Sequence, residues 1–339
     1  LPGPVLVIVM DELPLATIVR PDGTINEERY PAFARLAAGS TWYRNASSPH
    51  NATDQAVPAI LTGVVHEEAE LPTYEAQPRN LLALFGLNGP VERYEAFTDM
   101  CPPTACEAQP AQPLRQALED ALTVYGHRVL PPTLRADLSP IDDAWGGFGD
   151  AVGAAAPAEP VAAAADPRHH YRDLPASERA ATTQAAHLVA QAEAIDGAPI
   201  LHFVHVVFPH SPWFATPWGT TLMPPMPDWI EDPTAPGFEE NALLRYQRHS
   251  LQVGAADRAL GAVLDHLEAA GLWDETTVVL TADHGTSTIP PDLGRAEPTA
   301  ANADEVFRVP LFLKTAGQTN AEVNDDVAMT IDVLPTLVD

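Results

Sequence analysis

The segment at 276–285 (TTVVLTADHG) most constrains the fold, because an apolar run ends there abruptly in Asp283 and His284. Apolar runs of about four to eight residues bounded by breakers are typical of strands buried on both faces of a sheet. Asp and His are costly to bury unpaired, so these side chains belong at the strand's end, at the mouth of a site. The run Val5–Met10 (VLVIVM) ends in the same way, in Asp11-Glu12. We predict that the two strands are neighbours and bring metal-type ligands to one sheet edge.

Strand-like and helix-like segments alternate along the chain. Predicted strands lie at Val5–Met10, 41–44, 94–97, 199–208 and 276–282, and predicted helices at 25–39, 55–61, 80–87, 177–194 and 241–270. Pro58 is tolerable if it falls in the first turn of the 55–61 helix. This alternation predicts an α/β fold with a doubly wound, mostly parallel central sheet and helices on both faces. Residues 145–168, rich in Gly, Ala and Pro without periodicity, predict a flexible insertion.

Charge and hydropathy argue against a nucleic-acid partner and against a membrane span within this chain. The net charge of −28 over 339 residues argues against a nucleic-acid partner, which needs a basic surface. No apolar run reaches the roughly 18 residues of a membrane span, and no basic segment precedes Val5–Met10 as in a signal peptide. Both ends look cut, so we expect a soluble domain taken from a longer protein.

The two cysteines, Cys101 and Cys106, lie in the Pro-rich segment MCPPTAC. Their spacing suits a small disulfide, and a disulfide implies an oxidising, extracytoplasmic compartment. Two free thiols, or half of a metal site, are the alternatives.

The chemistry-bearing residues form a mixed oxygen and nitrogen set. Asp11, Asp283 and His284 suit Zn²⁺ or Mn²⁺ better than Ca²⁺, which prefers oxygen alone. Read singly, each strand-end Asp is also typical of a helix cap or turn. Thr53 precedes the 55–61 helix, where N-terminal amides attract phosphate or sulfate, although a plain N-cap explains it equally well.

The chain resembles the sulfatase-like branch of the alkaline phosphatase superfamily. The resemblance rests on the run RYQRHSLQVGAADRALGAVLDHLEAAGLWDETTVVLTADHG, on RVPLFLK at 308–314, on TIDVLPTLVD at 330–339 and on the opening VLVIVMDE. It runs from end to end and implies a single domain over 1–339, interrupted at 145–168, with a small C-terminal α+β portion.

The nucleophile segment points to a subgroup. Sulfatases place a Cys or Ser ten residues before the Gly of a Leu-Thr-Gly tail, and here Thr53 stands ten residues before Gly63. Thr is no precursor of formylglycine, and Val57 stands where those enzymes have Arg. The segment is similar to that of single-metal phosphotransferases of the lipoteichoic-acid synthase and phosphoethanolamine transferase types.

This resemblance implies one Mn²⁺ or Zn²⁺, with Mg²⁺ and Ca²⁺ less favoured, bound by Asp11, Thr53, Asp283 and His284. Glu12 is a neighbouring residue or, if the alignment slips by one, the true carboxylate ligand. No histidine follows His284, so the second metal of the superfamily's two-metal diesterases is not expected.

Further implied residues and partners complete the expectation. His210, in FPHSPW, matches a substrate-contacting histidine, His205 could face either way along its strand, and His50 and Asn51 could line the pocket. The implied reaction moves a phosphoglycerol- or phosphoethanolamine-type group from a phospholipid donor to an envelope glycan or lipid, through phospho-Thr53. The alternatives are a phosphodiesterase, phosphonate monoester hydrolase or sulfatase of the same superfamily, a non-catalytic binding domain, and an ordinary α/β domain.

Overall fold

A computed structural model of the chain describes residues 3–66, 70–107, 114–135, 138, 176–220, 222, 230, 232–295 and 298–338. It divides into two compact units. The first comprises Leu1–Glu107 and Gln184–Asp339, and the second comprises Ala108–Thr183. The insertion predicted at 145–168 lies outside the described residues, so it stays a prediction.

The first unit is built on a seven-stranded sheet. Its strands are β1 (Val5–Met10), β2 (Thr41–Ser47), β3 (Val91–Glu95), β4 (Leu201–Val206), β5 (Thr277–Ala282), β6 (Leu311–Lys314) and β7 (Glu322–Met329), in the order β3-β4-β1-β5-β6-β2-β7. Only β6 runs against its neighbours among these strands. The predicted mostly parallel α/β sheet is therefore confirmed, and the C-terminal strands β6 and β7 belong to that same sheet.

The helices of the described residues are short apart from three, which have 16, 18 and 32 residues. They are α1 (Leu15–Ile18), α2 (Pro31–Ala38), α3 (Thr53–Thr62), α4 (Leu81–Gly86), α5 (Leu114–Val129), α6 (Pro132–Arg135), α7 (Ala176–Glu193), α8 (Phe238–Ala269), α9 (Ala303–Phe307) and α10 (Val333–Val338). Among the described residues, no helix combines the length and apolar composition needed to cross a bilayer.

Three predicted boundaries were wrong for identifiable reasons. Helix α2 begins at Pro31 rather than residue 25, because a residue before proline is disfavoured in the α region and proline suits the first helical turn. Helix α3 begins at Thr53, which leaves Pro58 inside the helix rather than in its first turn. Strand β3 comes earlier than 94–97, because the buried Val91 pairs with Leu201 of β4.

Helices cover both faces of the sheet. Val5, Val7 and Val9 pack in one apolar cluster with residues of α3 and α4. On the opposite face, Phe33 of α2 contacts Phe312 of β6, with ring centroids 6.4 Å apart. Because side chains alternate along a strand, odd-numbered residues of β1 point towards α3.

Helix α2 is held at its start by a side chain from α8. The Asp257 carboxylate accepts hydrogen bonds from the backbone N–H groups of Ala32 (3.2 Å) and Phe33 (2.9 Å). Tyr30, the residue at the N-cap of α2, makes no side-chain cap bond. Asp257 therefore satisfies donors that the sequence next to α2 leaves unpaired.

Candidate active site and metal centre

The carboxyl ends of β1, β4 and β5 meet at one edge of the sheet. Met10 lies in register with Val206 of β4 and with Ala282 of β5. The ladder continues one step further, since the Asp11 N–H donates to Val206 O (3.2 Å) and the Asp283 N–H to Met10 O (3.1 Å). The two aspartates predicted to share a sheet edge are therefore side by side.

Both aspartates are buried with one carboxylate oxygen unsatisfied. Asp11 is 1% exposed and Asp283 is fully buried. The Oδ1 atom of Asp283 accepts the backbone N–H groups of Glu12 (3.3 Å) and His284 (2.6 Å). Asp283 Oδ2 and Asp11 Oδ1 have no hydrogen-bond partner among the described residues. Burying an anionic oxygen without a partner is costly, so these two atoms mark a place for a cation.

His205 joins the two aspartates. Asp11, His205 and Asp283 each offer a ligand atom within 4.8 Å of those of the other two, and all three residues are buried. His205 pairs with Val9 in the β1–β4 register and therefore faces α3, as Asp11 does two residues later. The sequence alone left open which face of the sheet His205 points to. The register of β4 on β1, which pairs His205 with Val9, determines the face.

His284 presents its Nε2 atom to the same place. Its Nδ1 lies 3.0 Å from Gly285 O, and because a carbonyl can only accept, Nδ1 carries the proton and Nε2 a free lone pair. Nε2 lies 3.3 Å from Asp283 Oδ2 and 3.8 Å from Asp11 Oδ1. Gly285 must be glycine, since a Cβ there would overlap the carbonyl oxygen of Glu305.

Thr53 completes the cluster from the other side. It is the first residue of α3 and is 4% exposed. Its Oγ1 lies 3.2 Å from His284 Nε2. The N-cap position belongs to Ala52, and no side-chain cap bond is made there. The plain N-cap interpretation of Thr53 therefore does not describe this hydroxyl, which is directed at the cluster.

These residues fit one divalent ion. Ligands about 2.0–2.2 Å from a tetrahedral ion are roughly 3.3–3.6 Å from one another. The measured separations from His284 Nε2, 3.2 Å to Thr53, 3.3 Å to Asp283 and 3.8 Å to Asp11, bracket that range. The orphaned oxygens of the two aspartates supply the negative charge.

Glu12 points away from this group, towards a cation. Its Oε1 accepts a hydrogen bond from Arg295 Nε (2.7 Å) and lies 3.4 Å from His210 Nε2. Arg295 also donates from Nη1 to Asn51 O (3.0 Å), and Asn51 Nδ2 donates back to Arg295 O (2.6 Å). The Glu12 carboxylate thus holds Arg295 beside the metal-type residues.

Sequence reasoning missed Arg295 altogether. It lies in a loop after β5, where no periodicity indicates which side chains turn inwards.

His210, predicted from the sequence to contact the substrate, is close to Arg295. The distance from its Nε2 atom to Arg295 Nη2 is 3.3 Å. Gln252 of α8 fixes the backbone at this point, donating to His210 O (2.7 Å). Of the two residues thought to line the pocket, Asn51 contacts Arg295, whereas His50 Nε2 is buried without a partner among the described residues.

The protonation states suit cation binding. Burial, together with the charges of Asp283 and Glu12, raises the pKa of Asp11 well above its usual value. A cation would relieve that repulsion. Burial lowers the pKa of His205 to about 4 and also lowers the pKa of His284, so both imidazoles are neutral at pH 7 and available as ligands.

Comparison with known proteins identifies the family of the chain. The model of the Sulfatase family matches residues 142–339, which is more than half of the chain. The chain belongs to the sulfatase family. The matched range contains His205, His210, Asp283, His284 and Arg295, whereas Asp11 and Thr53 lie before it.

Individual relatives match parts of this sulfatase-family chain. It is 30% identical over 162 residues to an ulvan-active sulfatase of Formosa agariphila, which is 47% of this chain and 31% of that protein. A putative sulfatase of Bacteroides thetaiotaomicron has a similar structure (TM-score 0.60, 16% identity), covering 100% of this chain and 70% of that one. A phosphonate monoester hydrolase of Silicibacter pomeroyi (TM-score 0.58, 18% identity) covers 99% and 72%. At these identities the structural matches establish only that the chain shares the fold of these two proteins.

Cys101 and Cys106 are joined by a disulfide, with their Cα atoms 6.2 Å apart. The bridge ties the loop that follows β3. Ala105, within that loop, accepts the backbone N–H of Val91 at the start of β3.

Proposed function

We propose that this sulfatase-family chain is a metal-dependent enzyme that cleaves a substituted phosphate ester, with Thr53 as the nucleophile. The observation that carries the proposal is the position of the buried Thr53 hydroxyl, 3.2 Å from His284 Nε2. A Thr hydroxyl is a weak nucleophile at neutral pH, so it needs activation by its surroundings.

Asp11, Thr53, Asp283 and His284 would hold one divalent ion, Mn²⁺ or Zn²⁺, with Mg²⁺ and Ca²⁺ less favoured by the nitrogen donor. When bound, the ion would lower the pKa of the Thr53 hydroxyl and withdraw charge from the ester oxygens. Glu12 has no part in this set, because its carboxylate is paired with Arg295.

In the first half-reaction, Thr53 Oγ1 attacks phosphorus and its proton leaves to solvent. A phosphorus–oxygen bond forms to Thr53, and the bond to the leaving alkoxide breaks, with His210 donating a proton to that alkoxide. The N-terminal amides of α3 and the guanidinium of Arg295 would stabilise the non-bridging oxygens. In the second half-reaction, an acceptor hydroxyl, or water, gives its proton to His210 and attacks phosphorus. The bond from phosphorus to Thr53 Oγ1 breaks, and Oγ1 recovers its proton from solvent.

The nature of the acceptor defines two candidate activities. In the first, a phospholipid-type donor supplies phosphoglycerol or phosphoethanolamine to an envelope glycan or lipid, outside the cytoplasm, with membrane attachment by segments outside this chain. The Cys101–Cys106 disulfide supports the oxidising compartment. In the second, water is the acceptor, as the name of the phosphonate monoester hydrolase neighbour suggests. Sulfate ester hydrolysis, suggested by the family name, is less favoured because Thr53 replaces the formylglycine precursor.

The experiment compares wild type with Thr53→Ala and Thr53→Ser on three chromogenic substrates: bis-p-nitrophenyl phosphate, p-nitrophenyl phenylphosphonate and p-nitrophenyl sulfate. We expect turnover of the phosphorus esters, a loss of at least about 1,000-fold in Thr53→Ala and partial retention in Thr53→Ser. Mass spectrometry of the quenched reaction should find the phosphoryl adduct on Thr53. Full activity of Thr53→Ala, or turnover of the sulfate alone, would contradict the proposal.

Adding an acceptor separates transfer from hydrolysis. With glycerol or phospholipid vesicles present, a transferase gives a substituted phosphate on the acceptor in proportion to released p-nitrophenol. A hydrolase gives the free phosphate whatever the acceptor concentration. A non-catalytic binding domain would show neither product.

A further inference from the structure

The imidazole of His205 is buried beside the carboxylates of Asp11 and Asp283. Its side chain is completely buried in β4, and neither Nδ1 nor Nε2 has a partner among the described residues. Leaving a buried polar group without a hydrogen bond destabilises the folded state. The proposed reaction gives His205 no part, so its burial calls for a different explanation.

The neighbours of His205 are unsatisfied in a complementary way. Asp11 Oδ1 and Asp283 Oδ2 also lack partners, and ligand atoms of all three residues lie within 4.8 Å of one another. Three orphaned groups that converge from three adjacent strands are better explained by one shared partner than by three separate defects. Two anionic oxygens and a neutral imidazole nitrogen can share a metal cation, because each has a lone pair to give.

His202 shows that this placement is specific to one face of β4. It lies three residues earlier on the same strand, is also completely buried, and has both ring nitrogens unpartnered among the described residues. Because side chains alternate along a strand, His202 points to the opposite face of the sheet from His205. It is therefore absent from the group with Asp11 and Asp283.

We propose that His205 is a direct ligand of the same divalent ion that Asp11 and Asp283 hold, so that two imidazoles bind it rather than one. The inference rests on the metal site of the proposed function but not on Thr53 acting as a nucleophile. With His205 and His284, the donor set contains two nitrogens, which borderline metals such as Zn²⁺ and Mn²⁺ accept and Ca²⁺ disfavours. His205 is thus the residue that sets metal preference.

The test measures metal binding directly. Wild type, His205→Leu and the matched control His202→Leu are stripped with chelator, and the affinities for Zn²⁺, Mn²⁺ and Ca²⁺ are measured by competition with a chromophoric chelator. We expect His205→Leu to bind Zn²⁺ at least about tenfold more weakly, since residues that merely support a ligand already cost about 10–100-fold. His202→Leu should bind as wild type does. The visible spectrum of bound Co²⁺, which reports the ligand set, should change in the His205 variant alone.

Two further variants keep the test decisive if His205→Leu does not fold. His205→Asn retains a polar group of similar size, and His205→Asp replaces the nitrogen with oxygen. The ratio of Ca²⁺ to Zn²⁺ affinity should rise in His205→Asp. A folded His205 variant with wild-type affinity and Co²⁺ spectrum would overturn the inference, as would two ions bound per chain. Failure of Thr53→Ala to abolish turnover would leave it intact, because metal binding is read out separately.

Discussion

Replacing Arg295 by methionine should destabilise the metal-free protein, because the change leaves the buried carboxylate of Glu12 without its main partner. The Glu12 side chain is 7% exposed and that of Arg295 is 24% exposed, and their Oε1 and Nε atoms lie 2.7 Å apart. Removing one partner of a buried ion pair costs about 3–5 kcal/mol, because the remaining charge stays desolvated.

The pKa of Glu12 gives an independent magnitude. Burial tends to raise that pKa, but the neighbouring cations, His210 when protonated and Arg295, outweigh it and hold it at about 2. Against an unfolded value of about 4.3, the difference corresponds to about 3 kcal/mol. Several cations share this effect and Arg295 is partly exposed, so we expect about 2 kcal/mol from Arg295→Met alone. A depressed carboxyl pKa stabilises above the unfolded pKa, so the difference should be full at pH 7 and shrink as pH falls from about 4 towards 2.

Urea unfolding in the presence of chelator measures the loss of unfolding free energy in Arg295→Met. A double-mutant cycle with Glu12 shows how much of that loss comes from the Glu12–Arg295 ion pair. In a Glu12→Gln background the side chain is neutral, so Arg295→Met should cost at least about 1 kcal/mol less than it does in wild type. An equal cost in both backgrounds would refute the reasoning, because it would show that Arg295 stabilises the loop by packing rather than by holding Glu12.

Three further predictions concern stability and metal content. Burial raises the pKa of Asp257 to about 6, so its ionisation opposes folding, and the stability of wild type relative to Asp257→Asn should fall by about 3 kcal/mol as pH rises from about 4 to 6. A flat difference in unfolding free energy across that window would contradict this. Asp283→Asn should lower the bound metal found by elemental analysis, and unchanged stoichiometry would count against the ligand assignment. Reducing the Cys101–Cys106 bridge should cost about 2 kcal/mol, the chain entropy of so small a loop, and an unchanged unfolding midpoint would exclude that.

The core of the sheet was predictable because buried parallel strands have continuous apolar sequences. Strands β1 and β5 were predicted to within one residue on that signal. Strand β7 was not predicted, because it lies at the sheet edge with the sequence EVNDDVAM and is mostly exposed, so no apolar pattern marks it. Its position depends on pairing with β2, a contact between residues distant in sequence.

The residues of the candidate site also differ in whether an apolar sequence pattern locates them. Asp11, Asp283 and His284 follow apolar runs, so the ends of those runs locate them. His205 lies inside such a run, and only the choice of face, set by the register of β4 on β1, brings it to the site. Arg295 follows no run at all; its place depends on tertiary contacts with Glu12 and Asn51.

The backbone conformation at Glu12 directs the side chains of the consecutive residues Asp11 and Glu12 to different partners. Glu12 has φ +57°, a left-handed conformation that costs a non-glycine residue about 1–2 kcal/mol. Its N–H donates to Asp283 Oδ1 (3.3 Å) and its carbonyl accepts from His249 Nε2 (3.2 Å), so contacts from β5 and α8 hold the turn. Because the chain reverses its handedness there, Asp11 faces the metal-type residues while Glu12 faces Arg295. An extended backbone at Glu12 would direct its side chain elsewhere and leave Arg295 without this carboxylate partner, so the left-handed conformation is what directs Asp11 and Glu12 to different groups of residues.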